Sequence, residues 1–222
     1  MYSLIAGFVL VLVAILYASD DRILQLFIGA VNPFLAASIA ILAGFISFYF
    51  LLSQKLFVIY KKGSLKEIVR SSVPALLFVS ITILVDLITV FPKDLNILFP
   101  LSLVFYPAMG FFAEILFHIM PLSTLLYILM FVLKNIKRSA LIWVSFIIIS
   151  LLEPAYQAAP MVLSQHFPIW AIIVVFINLA AFTLYQLYIL KRHDFISMYA
   201  VRLTYYLVWH IIWGYMRLRI IF

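Results

Sequence analysis

The sequence predicts an all-α membrane protein: a polytopic bundle of about seven transmembrane spans with an added re-entrant or surface helix. Three observations lead there. Of 222 residues, 68% are hydrophobic and 10% charged, against about 25% charged in a typical soluble domain. A water-soluble fold of this size has too little interior to hide so much apolar side chain. The apolar residues also fall in runs long enough to cross about 30 Å of hydrocarbon, which takes about 20 helical residues. In such a medium only a helix or a closed barrel satisfies its own backbone. Low charge and the lack of biased repeats exclude a disordered chain. With no internal repeat and no linker, residues 1–222 read as one integral membrane domain.

Segment 2–18 is the first span, and no Lys or Arg precedes it as a cleavable signal would require. Segment 23–31 follows Asp20, Asp21 and Arg22 and reads as a surface helix or the lead-in to the next span. Segment 33–54 is the second span, with Ala36, Ala40 and Gly44 as a small-residue stripe suited to close helix packing. Residues 55–70 carry Lys55, Lys61, Lys62, Lys66 and Arg70 and form a basic amphipathic loop before the third span at 71–91. The apolar stretch 98–133 is too long for one straight crossing, and Pro107, Gly110 and Pro121 offer breaks. It divides into a re-entrant or surface piece at 98–109 and a fourth span at 111–133. Spans at 139–159, 168–190 and 195–216 complete seven.

The net charge of +7 belongs to topology rather than to nucleic-acid binding. With loop 55–70 placed in the cytoplasm, the same side gathers Lys134, Lys137, Arg138, Lys191 and Arg192. The opposite side keeps only Arg22, Lys93, Arg217 and Arg219. The positive-inside rule then predicts a cytoplasmic N-terminus and an outside C-terminus, and the plasma membrane is the expected location. The absence of cysteine excludes disulfides, thiolate catalysis and cysteine-ligated metals.

Ionisable groups within spans are costly and therefore functional candidates. Counted at 1.5 Å per residue from the inner helix ends, Asp86, His118, Glu153 and His210 all lie about 21–22 Å up. Glu114 lies one turn further out on the face of His118. Arg202, Tyr206 and His210 form one stripe of the last span. Tyr205, Trp209 and Trp213 form a neighbouring stripe that reads as core packing or an interfacial belt. Arg202, about 10 Å above the inner end, can snorkel, pair with Asp194, or pair with a carboxylate across the bundle. An H-E-x-x-H zinc site, an intramembrane aspartate pair and a phosphate-binding glycine loop are all missing. A glutamate helped by histidine survives as the available acid–base chemistry.

The segment Phe112-Ala-Glu-Ile-Leu-Phe-His118, followed by Ile-Met-Pro, resembles the first motif, Glu-Glu-x-x-x-Arg, of the CAAX protease and bacteriocin-processing (CPBP) family. Ser150-Leu-Leu-Glu-Pro-Ala-Tyr-Gln157 resembles its second, Phe-x-x-x-His, and Asp194 to Gly214 its last helix, which carries His-x-x-x-Asn. Ala113, His118, Glu153 and Gln157 depart from those patterns; Arg202 with Tyr206 and His210 with Gly214 are alternative placements of the last, and depth selects His210. The resemblance implies a bundle of seven or eight helices in which a glutamate-activated water attacks a peptide bond.

The sequence thus predicts a divergent intramembrane glutamic-protease-like protein. Glu114 would be the general base, with His118 and His210 polarising or positioning substrate. Glu153 and Gln157 would complete the polar cavity, supported by Arg202, Tyr206 and Asp86. The partners expected are the lipid bilayer, a peptide or lipidated-peptide substrate and a membrane protein. No cofactor is expected, although Glu and His at one depth could bind zinc. Two other classes fit the same residues: a non-catalytic scaffold or partner subunit of this fold, and a proton-coupled transporter using Asp86, Glu114 and Glu153 as a relay.

Overall fold

Seven helices long and apolar enough to cross a membrane account for most of the chain. The structure is a computed structural model that describes residues 1–19, 23–24, 29, 31–61, 65–164 and 166–222. Segment 23–31 and part of the 55–70 loop therefore lie largely or partly outside the described residues. Regular structure among the described residues is helical throughout.

The first span, Tyr2–Ser19, packs on the second, Pro33–Ser53, and on the start of the fourth. Asn32 opens the second span by accepting from the Phe34 and Leu35 N–H groups, and Pro33 takes the first helical position, where no N–H partner is needed. Of the expected small-residue stripe, Ala40 and Gly44 are buried and Ala36 is half-buried, with Ala37 buried beside them. Gly44 is needed there: a Cβ would collide with the Tyr2 hydroxyl and sit 2.8 Å from Ile115 Cδ1.

The third span, Leu65–Thr89, breaks at Val73 and Pro74 into two helices, Leu65–Ser72 and Ala75–Thr89. It ends at Val90 in a left-handed conformation (φ 51°) that a β-branched residue rarely takes. Two bonds hold it: Val90 N–H donates to the Asp86 carbonyl at 2.8 Å, and Phe91 N–H to Asp86 Oδ1 at 2.8 Å.

The stretch expected as a separate piece at 98–109 is instead, from Ser102, the opening of the fourth span. Ser102–Val132 is one 31-residue helix. Pro107 is accommodated within it, and residues Glu114–Ile119 widen into a π-helical turn. Pro121 supplies the local cause, since it has no N–H for the Phe117 carbonyl and its ring crowds that oxygen.

The fifth span, Arg138–Ser164, steps at Ser150–Leu151, where Pro154 cannot donate back to Ser150. The step starts a new helix, Leu152–Ser164, with Glu153 in its first turn. The sixth span is Ile169–Arg192. A tight turn follows, and Asp194 caps the seventh span, Phe195–Ile220. Asp194 Oδ1 accepts from Ser197 N–H at 2.7 Å, and Oδ2 from Lys61 N–H at 2.8 Å. Asp194 is therefore a helix cap and a loop anchor rather than a partner of Arg202.

The seventh span is the hub. It packs on the third, fourth and sixth spans and reaches the fifth through Arg202. It too contains a π-helical turn, Leu207–Trp213. Of the two readings of its aromatic stripe, core packing holds: Tyr205, Trp209 and Trp213 are all buried.

Candidate functional site

Arg202 is the centre of the most polar part of the interior, with 1% of its surface exposed. The seventh span carries it into the bundle at a level that the fourth, fifth and sixth spans all reach. Each of its five N–H groups meets an acceptor. Nε donates to Glu114 Oε1 at 2.7 Å. Nη1 donates to Glu153 Oε1 at 2.8 Å and to the Tyr206 hydroxyl at 3.0 Å. Nη2 donates to Glu153 Oε2 at 2.7 Å and to Gln186 Oε1 at 3.2 Å. The pairing with Glu153 is the parallel two-bond fork that guanidinium and carboxylate planes favour.

Glu114 has no exposed surface, and its two oxygens accept three bonds. Gln186 Nε2 donates to Oε1 at 2.6 Å, beside the Arg202 bond, and His118 Nδ1 lies 2.7 Å from Oε2. The π turn spans this pair, so the carboxylate and the imidazole of Glu114–Ile119 stay on one face. The other imidazole nitrogen, Nε2, lies 3.3 Å from Glu153 Oε2, close enough for charge attraction but misaligned for a hydrogen bond. His118 thus sits between two carboxylates. Gln157 Nε2 donates to Glu153 Oε1 at 3.0 Å.

Three pairs of residues spaced four apart, on three different spans, therefore meet: Glu114 with His118, Glu153 with Gln157, and Arg202 with Tyr206. Gln186 of the sixth span closes the ring, a residue the sequence reading passes over. Its signal was a lone amide in the apolar run Phe182–Leu190. Charge balance explains why the set holds together in hydrocarbon. One guanidinium faces two carboxylates, and a proton on His118 makes the four groups neutral.

Asp86 and His210 lie elsewhere. Asp86, fully buried, pairs with Arg217: Nε lies 2.8 Å from Oδ2, and Nη2 lies 2.8 Å from Oδ1. Trp213 Nε1 donates to Oδ2 at 2.6 Å. Arg217 also donates to the Phe91 and Pro92 carbonyls at 2.6 and 2.8 Å. Arg217, assigned from sequence to the outer surface, is thus a buried partner. His210 Nδ1 lies 2.6 Å from Asn96 Oδ1, and its ring stacks on Tyr106 with centroids 4.3 Å apart. Of the two placements considered for the last motif, Arg202 with Tyr206 joins the site, and His210 with Gly214 does not.

The arrangement can move a proton between Glu114 and His118 and present a second carboxylate to the same imidazole, beside a guanidinium whose five N–H groups are all engaged by protein acceptors. Among the described residues no group of three His, Asp or Glu side chains is placed to hold a metal ion; the cation between the carboxylates is Arg202. No protein-family model, curated protein or solved structure matches the chain.

Proposed function

We propose that this chain is a divergent intramembrane protease of the glutamic type, acting on a peptide or lipidated peptide at the Glu114–His118–Glu153–Arg202 cluster. The observation that carries the reading is the meeting of three four-spaced polar pairs, from the fourth, fifth and seventh spans, at one point in an apolar bundle. Their order along the chain is that of the three motifs of the CPBP family. A purely structural use is a weak explanation of so many charges, since replacing buried ion pairs by apolar side chains is often neutral or stabilising.

Chemically, Arg202 has two tasks. It holds Glu114, and in the reaction its N–H groups turn to the substrate carbonyl. Glu114 is then free to take a proton from water as hydroxide attacks the carbonyl carbon. The oxygen that gains charge is held by Arg202. The C–N bond breaks, and the proton reaches the departing nitrogen through His118. Glu153 keeps Arg202 and His118 oriented. In this reading the protein sits in the plasma membrane with its N-terminus inside and its C-terminus outside.

The test is reconstitution of the whole chain in liposomes with a solubilised membrane fraction, followed by mass spectrometry of new peptide N-termini. Wild type is expected to generate a set of new termini that Glu114→Gln and His118→Ala both lose. Identical sets, or none from wild type, would remove the catalytic reading.

A second reading has its own support. Both Glu114 oxygens are engaged, Oε1 by Arg202 and Gln186 and Oε2 by His118, as in a clasp that joins spans without chemistry. A non-catalytic scaffold for a membrane partner would yield no new termini and would lose partner assembly when the clasp is opened.

A further inference from the structure

On the side of the seventh span away from Arg202, a cavity of about 470 Å³ opens toward the bilayer. Val69, Val73 and Leu76 of the third span form one wall, and Ala200, Leu203 and Leu207 the other. Its cause is visible in the chain: the break at Val73–Pro74 turns the two halves of the third span, and the small Ala200 leaves the facing wall low.

Hydroxyls of Ser72 and Thr204 reach the groove but are turned back to their own helices, onto the Ile68 carbonyl at 2.9 Å and the Ala200 carbonyl at 3.0 Å. The surface offered to an occupant is therefore hydrocarbon. At the end of the groove nearest the 55–70 segment the chemistry changes. Lys66 stands one turn before Val69 at the edge of the groove, and Arg70 one turn after Lys66 on the exposed flank of the short helix. Among the described residues neither is paired with a carboxylate: the only acid on that helix, Glu67, lies 3.9 Å from His193.

We infer that the groove holds one hydrocarbon chain of an anionic lipid, whose headgroup Lys66 and Arg70 bind. An apolar slot flanked, near the start of its span, by two cations with no carboxylate partner among the described residues matches a lipid with an acyl chain and a negative headgroup. Cations at this level attract acidic headgroups with an effect of about fivefold each.

The experiment is native mass spectrometry of the full chain in mild detergent with added phosphatidylglycerol or phosphatidylcholine. Wild type is expected to retain one phosphatidylglycerol in preference to phosphatidylcholine. The surface variant Lys66→Gln/Arg70→Gln should lose that preference by roughly tenfold or more, while keeping its unfolding midpoint. Ala200→Trp should exclude both lipids by filling the groove. If that variant does not fold, Val69→Trp fills the groove from a side chain 62% exposed. Equal retention of the two lipids by wild type overturns the proposal. So does an unchanged preference in the charge variant, or full lipid retention in the filled one.

Discussion

At the scale of single residues, Arg202 and Arg217 are the two side chains whose removal the structure predicts to be most damaging. Replacing Arg202 by Met leaves Glu114 and Glu153 buried and unpaired, a loss of about 3–5 kcal/mol. Unfolding in a mixed-detergent series measures it, and adding Glu114→Gln and Glu153→Gln should recover most of the loss. Arg202→Lys should not rescue, because an ammonium cannot fork to Glu153 while bonding Glu114. The same reasoning applies to Asp86. Asp86→Asn keeps the shape but leaves Arg217 without its counter-charge, again about 3–5 kcal/mol, whereas Asp86→Leu with Arg217→Met should unfold much closer to wild type. A double variant no better than the single would refute the pairing.

Residues also set what could be read in advance. Glu114 and His118 share a helix four positions apart, so their contact follows from the sequence alone, and so does that of Glu153 with Gln157. The partners of Arg202 lie on other spans, and no local spacing reports them. Counting depth from helix ends treats those ends as level and each span as one straight helix, and the fifth span is divided at Ser150–Leu151. Glu153 is about 22 Å above Arg138, whereas Arg202 is about 10 Å above Phe195, yet the two side chains bond directly. That discrepancy is why depth favours His210, which the structure places against Asn96, over Arg202. Arg217 was hidden differently: at the end of the chain it looks like a loop charge, and only the return of the third span brings Asp86 to it.

At the scale of elements, the spans themselves were plain from composition, since each is a long apolar run. Their irregularities were less so. Pro107 and Pro121 suggest a division of the long stretch 98–133, but Pro107 is tolerated within the helix and Pro121 is absorbed by widening a turn. The close approach of the first and second spans is testable. Gly44→Ala places a methyl against the Tyr2 hydroxyl, which should lower stability by about 1–3 kcal/mol. Combining it with Tyr2→Phe should recover part of that, because the hydroxyl is the nearest obstacle. Equal unfolding of the single and combined variants would show that the glycine matters for another reason.

At the scale of the whole molecule, the distribution of Lys and Arg predicts which face each connection occupies. The chain has no cysteine, so single cysteines can be introduced against a silent background. A cysteine at Ile136, in the 133–137 connection, should react in intact cells only with a permeant thiol reagent. One at Asp94, in the 90–101 connection, should react with an impermeant one. The reverse pattern would invert the proposed orientation.

The seventh span is fastened at two levels, to Glu114 and Glu153 through Arg202 and to Asp86 through Arg217, 15 residues and about 22 Å apart. A rod bolted twice can neither slide like a piston nor swivel as a unit without breaking a bolt. The wide turn at Leu207–Trp213 lies between the fastenings, the one irregular winding of the helix. The helix is in effect a shaft pinned on either side of its single loosened winding.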